Sequence, residues 1–382
     1  MPKTLYVHVP FCEQICHYCD FNKFFLKNQP IDEYLVHCKS EMKWTVEKFP
    51  PEEKIYSVYV GGGTPTALST NQLEKLLTDI KTYFPIADSC EWTVEVNPGS
   101  ASREKLLMMR NTGVNRLSLG VQTFDKQLLN TIGRDHKPED IPETIQLCRE
   151  TGFDNISIDL MFGLPGQSIE QFEHSIQQLI NLSVEHVSAY SLKIEQKTVF
   201  YQMWQRGKLR LPGEDTEADM YLLLREKLNH AGFDQYEISN FAKRNRQSKH
   251  NLTYWKNEEY YGIGAGAHSY VGGVRRINHG PLPKYMKSVA HYELPYRDEH
   301  QVTATEKMEE EMFMGLRKLS GVNMELFNRK YGMNIEGIFG DVIEGLKQAE
   351  LIKETNGFIH LTENGLLLGN EVFEKFLLVD EA

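Results

Sequence analysis

Residues 8–19 read HVPFCEQICHYC and place Cys12, Cys16 and Cys19 on one short stretch, separated by three and then two residues. Cys thiolates are the protein ligands of iron–sulfur clusters, and three of them at this spacing can converge on one inorganic centre. Four thiolates would saturate a 4Fe-4S cluster, so three leave one iron open to bind a substrate or cofactor. The stretch is therefore a candidate for chemistry rather than for structural support alone.

Zinc is the main alternative to a cluster at these cysteines. A structural zinc site needs four ligands, which usually come as two separated pairs. Cys38, Cys90 and Cys148 are scattered singly along the chain, but His8 or His17 could supply a fourth ligand. Disulfides require an oxidising compartment, which nothing else in the sequence indicates. The spacing favours a cluster over zinc, and zinc over free thiols.

The composition is that of a soluble globular protein with two or three domains. The chain has 382 residues, of which 41% are hydrophobic and 25% charged, with a net charge of -11. This acidity argues against nucleic acid as a main partner. The basic cluster at 243–249 is interpreted as a solvated loop. We predict no signal peptide and no membrane-spanning segment, hence a cytoplasmic protein, with peripheral membrane contact left open.

The first half of the chain alternates strand-like and helix-like segments. Such alternation predicts parallel βα units, either as a doubly wound sheet or as an incomplete barrel. In both arrangements ligands gather at the carboxyl ends of the strands. The β-rich runs are 4–9, 55–60, 91–96, 115–120, 155–161 and 185–191, and the runs with helical spacing are 31–49, 71–84, 103–112, 139–150 and 168–182.

Polar residues lie at the ends of several of these strands. Residues 61–65 read GGGTP after the second strand, and they are not a Walker loop because no Gly-Lys-Ser/Thr follows. Glu95, Gln122 and Asp159 lie near the ends of the next three. With Arg134 they could bind a ligand that carries an amino group, a carboxylate and a ribose. Each alone could be structural, but their shared position indicates one active site.

The alternation stops after Leu192, and residues 250–255 read HNLTYW. His250 and Tyr254 are of the types that bind haem iron in some proteins. A packed aromatic turn is the alternative, and the residues alone favour it. The glycine-rich run 262–266 indicates either a backbone close to a bulky neighbour or tight turns.

The end of the chain predicts a separate small domain. An acidic helical segment covers 303–318, with Thr305 as the expected cap, and short helices and a small hairpin follow. This pattern is typical of a winged-helix-like domain. We therefore divide the chain into an α/β domain at 1–232, a connecting segment at 233–300 and a mostly helical domain at 301–382.

Taken together, the motifs resemble the radical SAM superfamily and, more narrowly, the oxygen-independent coproporphyrinogen oxidase family. The resemblance covers nearly the whole chain. The motifs that carry it are YVHVPFCEQICHYC at 6–19, GGGTPT at 61–66, EVNP at 95–98, GVQTF at 120–124 and DLMFGLPG at 159–166.

The resemblance implies a partial (β/α)6 TIM-like barrel and a 4Fe-4S cluster bound by Cys12, Cys16 and Cys19. The open iron of such a cluster binds the amino and carboxylate groups of S-adenosylmethionine, and electron transfer then cleaves the sulfonium. The residues implied to line the S-adenosylmethionine region are Tyr6, Tyr18, Gly62, Gly63, Thr64, Glu95, Gln122, Arg134 and Asp159.

Two departures separate this chain from the oxidase of that family. The oxidase carries a further cysteine two residues after the third ligand, where this chain has Phe21, and an N-terminal extension ahead of the first strand. Both differences, and the HNLTYW motif, are similar to a haem chaperone branch of the family. By that resemblance His250 and Tyr254 are the implied haem-binding residues.

We therefore expect a cytoplasmic haem chaperone that carries a 4Fe-4S cluster and S-adenosylmethionine and transfers haem to an unidentified acceptor protein. The first alternative is the oxidase, which converts coproporphyrinogen III to protoporphyrinogen IX by oxidative decarboxylation. The second is a non-catalytic binding module whose cluster only controls folding or dimerisation. The sequence assigns no catalytic residue, and it leaves open whether S-adenosylmethionine is cleaved and whether the protein is a monomer or a cluster-dependent homodimer.

Overall fold

The computed structural model describes residues 1–378. Its first part is built from alternating strands and helices. The six predicted strands and five predicted helices are all present, whereas the sequence pattern missed a helix at Lys126–Ile132. The elements in chain order are β1 (Thr4–Val9), β2 (Phe11–Cys12), β3 (Phe24–Phe25), α1 (Ile31–Lys48), β4 (Ile55–Gly62), α2 (Thr70–Tyr83), β5 (Ile86–Val96), α3 (Arg103–Thr112), β6 (Arg116–Gln122), α4 (Lys126–Ile132), α5 (Asp140–Glu150), β7 (Ile156–Phe162), α6 (Ile169–Asn181), β8 (His186–Ser191), α7 (Val199–Gln205) and α8 (Glu214–His230).

The order of the strands decides between the two predicted architectures. Strands β1, β4, β5, β6, β7 and β8 are parallel neighbours in chain order. Right-handed crossovers in such an order place the connecting helices on one face of the sheet, as in a barrel. A doubly wound sheet instead reverses its order part-way. The fold is the partial (β/α)6 barrel.

Local sequence signals set the limits of the helices that cover the sheet. Ser69 caps α2 and Ser168 caps α6, each in a reciprocal capping box with a Gln three residues later. Gly113 ends α3 in the left-handed conformation, with φ of 118°. The buried apolar side chains of the barrel strands form one core cluster with those of the covering helices, so this core lies between sheet and helices.

The segment predicted as a connector contributes to the main sheet. β11 (Tyr261–Ile263) adds a parallel strand beside β1, while β10 (Asn240–Ala242) and β9 (Asp234–Glu237) extend the other edge in antiparallel fashion. A Cβ on Gly264 would lie 2.6 Å from the His8 carbonyl oxygen, so this glycine is required by close backbone approach. The elements are β9 (Asp234–Glu237), β10 (Asn240–Ala242), α9 (Lys249–Trp255), β11 (Tyr261–Ile263), β12 (His268–Val271), β13 (Val274–Asn278), α10 (Leu282–Ala290) and β14 (Tyr296–Gln301).

The C-terminal part contains helices and a three-stranded antiparallel sheet, as in a winged helix, in which β17 (Phe358–Leu361) lies between β15 (Val322–Asn323) and β16 (Ile352–Thr355). Thr303, not Thr305, caps its first helix, because Thr303 forms the capping box with Glu306. Within residues 1–378 no helix is long and apolar enough to cross a membrane. The elements are α11 (Ala304–Arg317), β15 (Val322–Asn323), α12 (Met324–Tyr331), α13 (Ile335–Gln348), β16 (Ile352–Thr355), β17 (Phe358–Leu361), α14 (Glu363–Leu367) and α15 (Gly369–Glu374).

Candidate functional site

A cavity of about 420 Å³ opens at the carboxyl ends of β4, β5 and β6, next to the cysteine stretch (residues 12–22). It brings together most of the residues that the sequence nominated, although they come from six separate segments of the chain. Those that line it are Cys12, Cys16, Tyr18, Cys19, Gly62, Gly63, Thr64, Glu95, Gln122, Arg134 and Asp159.

The three cysteines are free thiols at one side of this cavity, with Cys12 buried and Cys16 and Cys19 half-buried. Burial raises the pKa of the Cys12 thiol to about 11, so its thiolate needs a positive partner such as a metal centre. As placed, no three His, Cys, Asp or Glu side chains among residues 1–378 can hold a single metal ion. The ring nitrogens of His8, one candidate for a fourth zinc ligand, are both hydrogen-bonded, to the Tyr6 hydroxyl and the Asn22 carbonyl oxygen.

Arg134 connects the cysteine stretch to the ends of the strands. Its Nη1 donates a hydrogen bond to the Cys16 sulfur at 3.5 Å, and its Nη2 donates to Asn97 Oδ1 at 2.6 Å and to the Gly120 carbonyl. Its Nε is buried and has no hydrogen-bond partner among residues 1–378. An unpaired buried donor in this cavity fits a ligand with an anionic group, because leaving such a donor unpaired is costly.

Glu95 lies on β5 at the floor of the cavity. Its carboxylate accepts hydrogen bonds from the Tyr59 hydroxyl at 2.8 Å and from the Gly62 amide at 2.9 Å. Burial raises the pKa of this carboxyl group to about 7. Glu95 therefore changes charge near neutral pH. When ionised, its carboxylate can accept a hydrogen bond from the ammonium group of a ligand.

The glycine run beside Glu95 is explained by close packing. A Cβ on Gly62 would lie 2.3 Å from the His8 ring, and one on Gly63 would lie 2.7 Å from the Phe11 carbonyl oxygen. The Gly62, Gly63 and Thr64 amides already donate inside the protein. The run therefore brings backbone close to the cavity without offering these amides to a ligand.

Gln122 and Asp159 lie on neighbouring strands. Gln122 has a positive φ of 66° at an irregularity in the β6–β7 pairing, and such bulges redirect side chains near functional sites. Asp159 accepts a hydrogen bond from Ser118 Oγ at 3.2 Å. Burial raises the pKa of Asp159 to about 6, against the lowering effect of Arg116.

A second cleft, of about 770 Å³, adjoins the first cavity. Tyr6 and Tyr254 line this second cleft, whereas most of the predicted ligand residues line the first cavity. The two share a wall that includes Phe21, whose side chain is 60% exposed, and Glu95. A ligand in the second cleft would therefore lie beside a ligand in the first.

His250 lies in the interior and is only 2% exposed. Its Nδ1 is 3.0 Å from Ser57 Oγ, its Nε2 is 2.9 Å from the Tyr254 hydroxyl, and its ring packs on Tyr59 at 4.9 Å. Burial, aided by Arg116, lowers the pKa of His250 to about 3. In this arrangement His250 holds Tyr254 in position, with both ring nitrogens already engaged.

Several residues that line the first cavity are not among those predicted from the sequence. Arg116, Ser118 and Gly120 are every second residue along β6, and all three line the cavity. This period-two pattern of a strand face could have identified Arg116. Ser188 and Tyr190 could have been found from the same periodicity along β8, and Asn251 from the HNLTYW motif. The residues that were missed include Arg116, Ser118, Ser188, Tyr190 and Asn251, while Asn97, which belongs to the EVNP motif, lines the cavity as well.

Comparison with known proteins places the chain in a family. A model of the radical SAM superfamily matches residues 6–179, and a model of the HemN C-terminal domain matches residues 302–368. The chain is 50% identical to the heme chaperone HemW of Bacillus subtilis (strain 168), over 98% of this chain and 99% of that protein. It is 33% identical to HemW of Escherichia coli (strain K12), over 98% of each chain. The chain belongs to the HemW family of radical SAM proteins.

Comparison with solved structures finds the fold of this chain in a second protein. Coproporphyrinogen III oxidase (HemN) from Escherichia coli superposes with a TM-score of 0.86, at 23% identity, over 98% of this chain and 90% of that one. At this identity the likeness shows the fold, including the C-terminal domain. Membership of the radical SAM superfamily implies a 4Fe-4S cluster and S-adenosylmethionine.

Proposed function

We propose that the chain is a haem chaperone that binds haem and transfers it to an acceptor protein. The observation that carries the proposal is the 50% identity, over nearly the full length of both chains, to a protein named heme chaperone HemW. Phe21 supports it, because the oxidase of the resembling family has a further cysteine at that position. Phe21 is instead an exposed apolar side chain between two clefts.

We assign the first cavity to the cluster and to S-adenosylmethionine. Cys12, Cys16 and Cys19 would hold the 4Fe-4S cluster, which supplies an electron to bound S-adenosylmethionine. The unpaired Nε of Arg134 and the ionised carboxylate of Glu95 match the carboxylate and the ammonium of that ligand in charge. The other residues assigned to its binding in the cavity are Tyr18, Gly62, Gly63, Thr64, Gln122 and Asp159, while Tyr6 would act through His8.

Of the two residues that the motif nominates for haem, Tyr254 is the one that reaches open space, in the second cleft. We assign His250 to positioning Tyr254, through the contact of 2.9 Å between Nε2 and the hydroxyl. We further propose that the protein acts in the cytoplasm, where thiols remain reduced, as a monomer or a cluster-dependent homodimer.

An anaerobic experiment on the reconstituted full-length protein tests the proposal. Coproporphyrinogen III and ferric haem are supplied separately, and product formation, S-adenosylmethionine cleavage and haem absorbance are followed. We expect saturable haem binding and no protoporphyrinogen. Conversion of coproporphyrinogen would favour the oxidase, and the absence of both haem binding and S-adenosylmethionine cleavage would favour a binding module.

A further inference from the structure

The second cleft has the size and the lining chemistry to accommodate a dianionic macrocycle. We propose that haem binds in this cleft with His268 as an iron ligand and with Lys197 and Arg297 paired with its two carboxylates. The inference rests on the proposed haem chaperone function and specifies where its ligand binds. The cleft volume of about 770 Å³ lies within the range of small-molecule and cofactor sites.

His268 is the accessible histidine of this cleft. It is the first residue of β12 and is exposed, and its ring has no hydrogen-bond partner among residues 1–378. His8 also lines the cleft, but both of its ring nitrogens are hydrogen-bonded. Partial desolvation of the His268 ring by the cleft walls, together with the charges of Arg297 and Arg275, lowers the pKa of His268, which favours the neutral imidazole that binds metals.

The position of His268 is fixed by backbone packing. A Cβ on Gly262 would lie 1.8 Å from the His268 carbonyl oxygen, so β11 and the start of β12 are in close contact. The β12–β13 pairing places Ile277 directly opposite His268 on the same face of the small sheet, and both line the cleft. This face of the sheet forms a rigid wall with one imidazole and one apolar neighbour.

Aromatic side chains form further parts of the wall. Tyr254 and Tyr260 pack edge to face with ring centroids 4.8 Å apart, and both line the cleft. Phe21 adds an exposed ring from the cysteine stretch. Such rings provide the apolar contact that the face of a macrocycle requires. The position of Phe21 would also place haem next to the cluster.

Cations at the cleft match the charge of the haem carboxylates. Lys197 and Arg297 are exposed, and neither has an ion-pair partner among residues 1–378, although the chain carries a net charge of -11. Lys23 adds a third cation, while Asp20 and Glu95 are the acidic residues that line the same cleft. Unpaired guanidinium and ammonium groups are the usual partners of carboxylates.

Titration of the anaerobically reconstituted full-length protein with ferric haem, followed by difference absorbance, tests the assignment. We expect His268→Ala to weaken haem binding at least tenfold and to change the spectrum of the bound haem, with added imidazole restoring the spectrum. His291→Ala removes an exposed histidine that follows α10 outside the cleft and should bind haem normally. Lys197→Ala and Arg297→Ala should each weaken binding about threefold to tenfold without altering the spectrum.

Iron content and S-adenosylmethionine binding are measured on each variant to establish that it is folded. If wild-type protein binds haem and His268→Ala binds it with unchanged affinity and spectrum, the inference is wrong while the chaperone function stands. The inference is also wrong if His250→Ala, and not His268→Ala, loses the spectrum of ligated haem. If wild-type protein shows no saturable haem binding, the proposed function itself fails.

Discussion

Nε2 of His8 donates a hydrogen bond to the backbone carbonyl oxygen of Asn22 at 2.8 Å. This bond fixes the neutral tautomer, because Nδ1 is then free to accept from the Tyr6 hydroxyl at 2.8 Å. Burial lowers the pKa of His8 to about 4, which keeps the ring neutral at physiological pH. The first strand of the barrel thereby holds the end of the cysteine stretch in place.

Asn22→Ala should loosen the cysteine stretch. The Asn22 side chain donates to the carbonyl oxygens of Ala265 at 2.8 Å and Gly280 at 2.9 Å, and alanine would leave both without this donor. We expect a loss of about 2 kcal/mol in the free energy of unfolding, measured by denaturant titration, and faster loss of iron from the reconstituted protein. Lys27→Ala, an exposed residue nearby, is the control. Equal stability and iron retention in the two variants would show that the two hydrogen bonds of the Asn22 side chain do not hold the cysteine stretch in place.

Gly62→Ala should destabilise the protein strongly. Gly62 has φ of 113°, and an added Cβ would lie 2.3 Å from the His8 ring. Backbone strain and overpacking together should cost about 3 kcal/mol, seen as a lower melting temperature. Gly207→Ala is the matched control, because its φ is also positive at 64° but nothing lies within 4 Å of its added Cβ. That control should lose only about 1 kcal/mol, and a similar loss in both variants would show that the contact with His8 is unimportant.

Much of the barrel and the edge that carries the site could be predicted because they depend on local periodicity. The ends of the strands are visible in the sequence, which therefore predicts that Glu95, Gln122 and Asp159 lie near one another. The choice between doubly wound sheet and barrel needed the strand order, which periodicity does not encode. The short β11 was missed because three residues, Tyr261–Ile263, are too few to display alternation.

The surroundings of His250 could not be read from the sequence, because they depend on contacts between distant segments. Ser57 Oγ bonds the His250 ring and Glu91 Oε1 accepts from the His250 amide at 3.2 Å, yet both partners lie more than 150 residues away. The motif resemblance predicts a role for His250 but does not indicate that its side chain is buried. The cap of α11 is a different case, since Thr303 and Glu306 display the capping box in the sequence itself.

Glu95→Gln should weaken S-adenosylmethionine binding and remove part of its pH dependence. With a pKa of about 7, Glu95 becomes ionised as the pH rises from 6 to 8, and only the ionised form attracts an ammonium. Relative to the variant, the affinity of wild-type protein should therefore rise about tenfold across that interval. Equilibrium dialysis at several pH values measures this, and the ammonium of the ligand titrates identically in both proteins. If the ratio of wild-type to variant affinity stays constant with pH, Glu95 does not contact the ammonium group of the ligand.

The buried neutral imidazole of His250 should make the protein less stable in mild acid. Its pKa is about 3 in the folded state against an ordinary value of 6.5, so between these values the unfolded state binds more protons. Stability from this group therefore falls as the pH is lowered through 6.5, by about 1 kcal/mol between pH 7.5 and pH 5.5. His250→Gln should be less stable at pH 7.5 but should lose about 1 kcal/mol less than wild type over the same interval.

The contributions of Glu95 and Glu41, whose carboxyl pKa values burial raises to about 7, have the opposite sign and are common to both proteins. Denaturant titrations at the two pH values give the comparison, and parallel pH profiles would mean that His250 is charged or solvated in the folded protein.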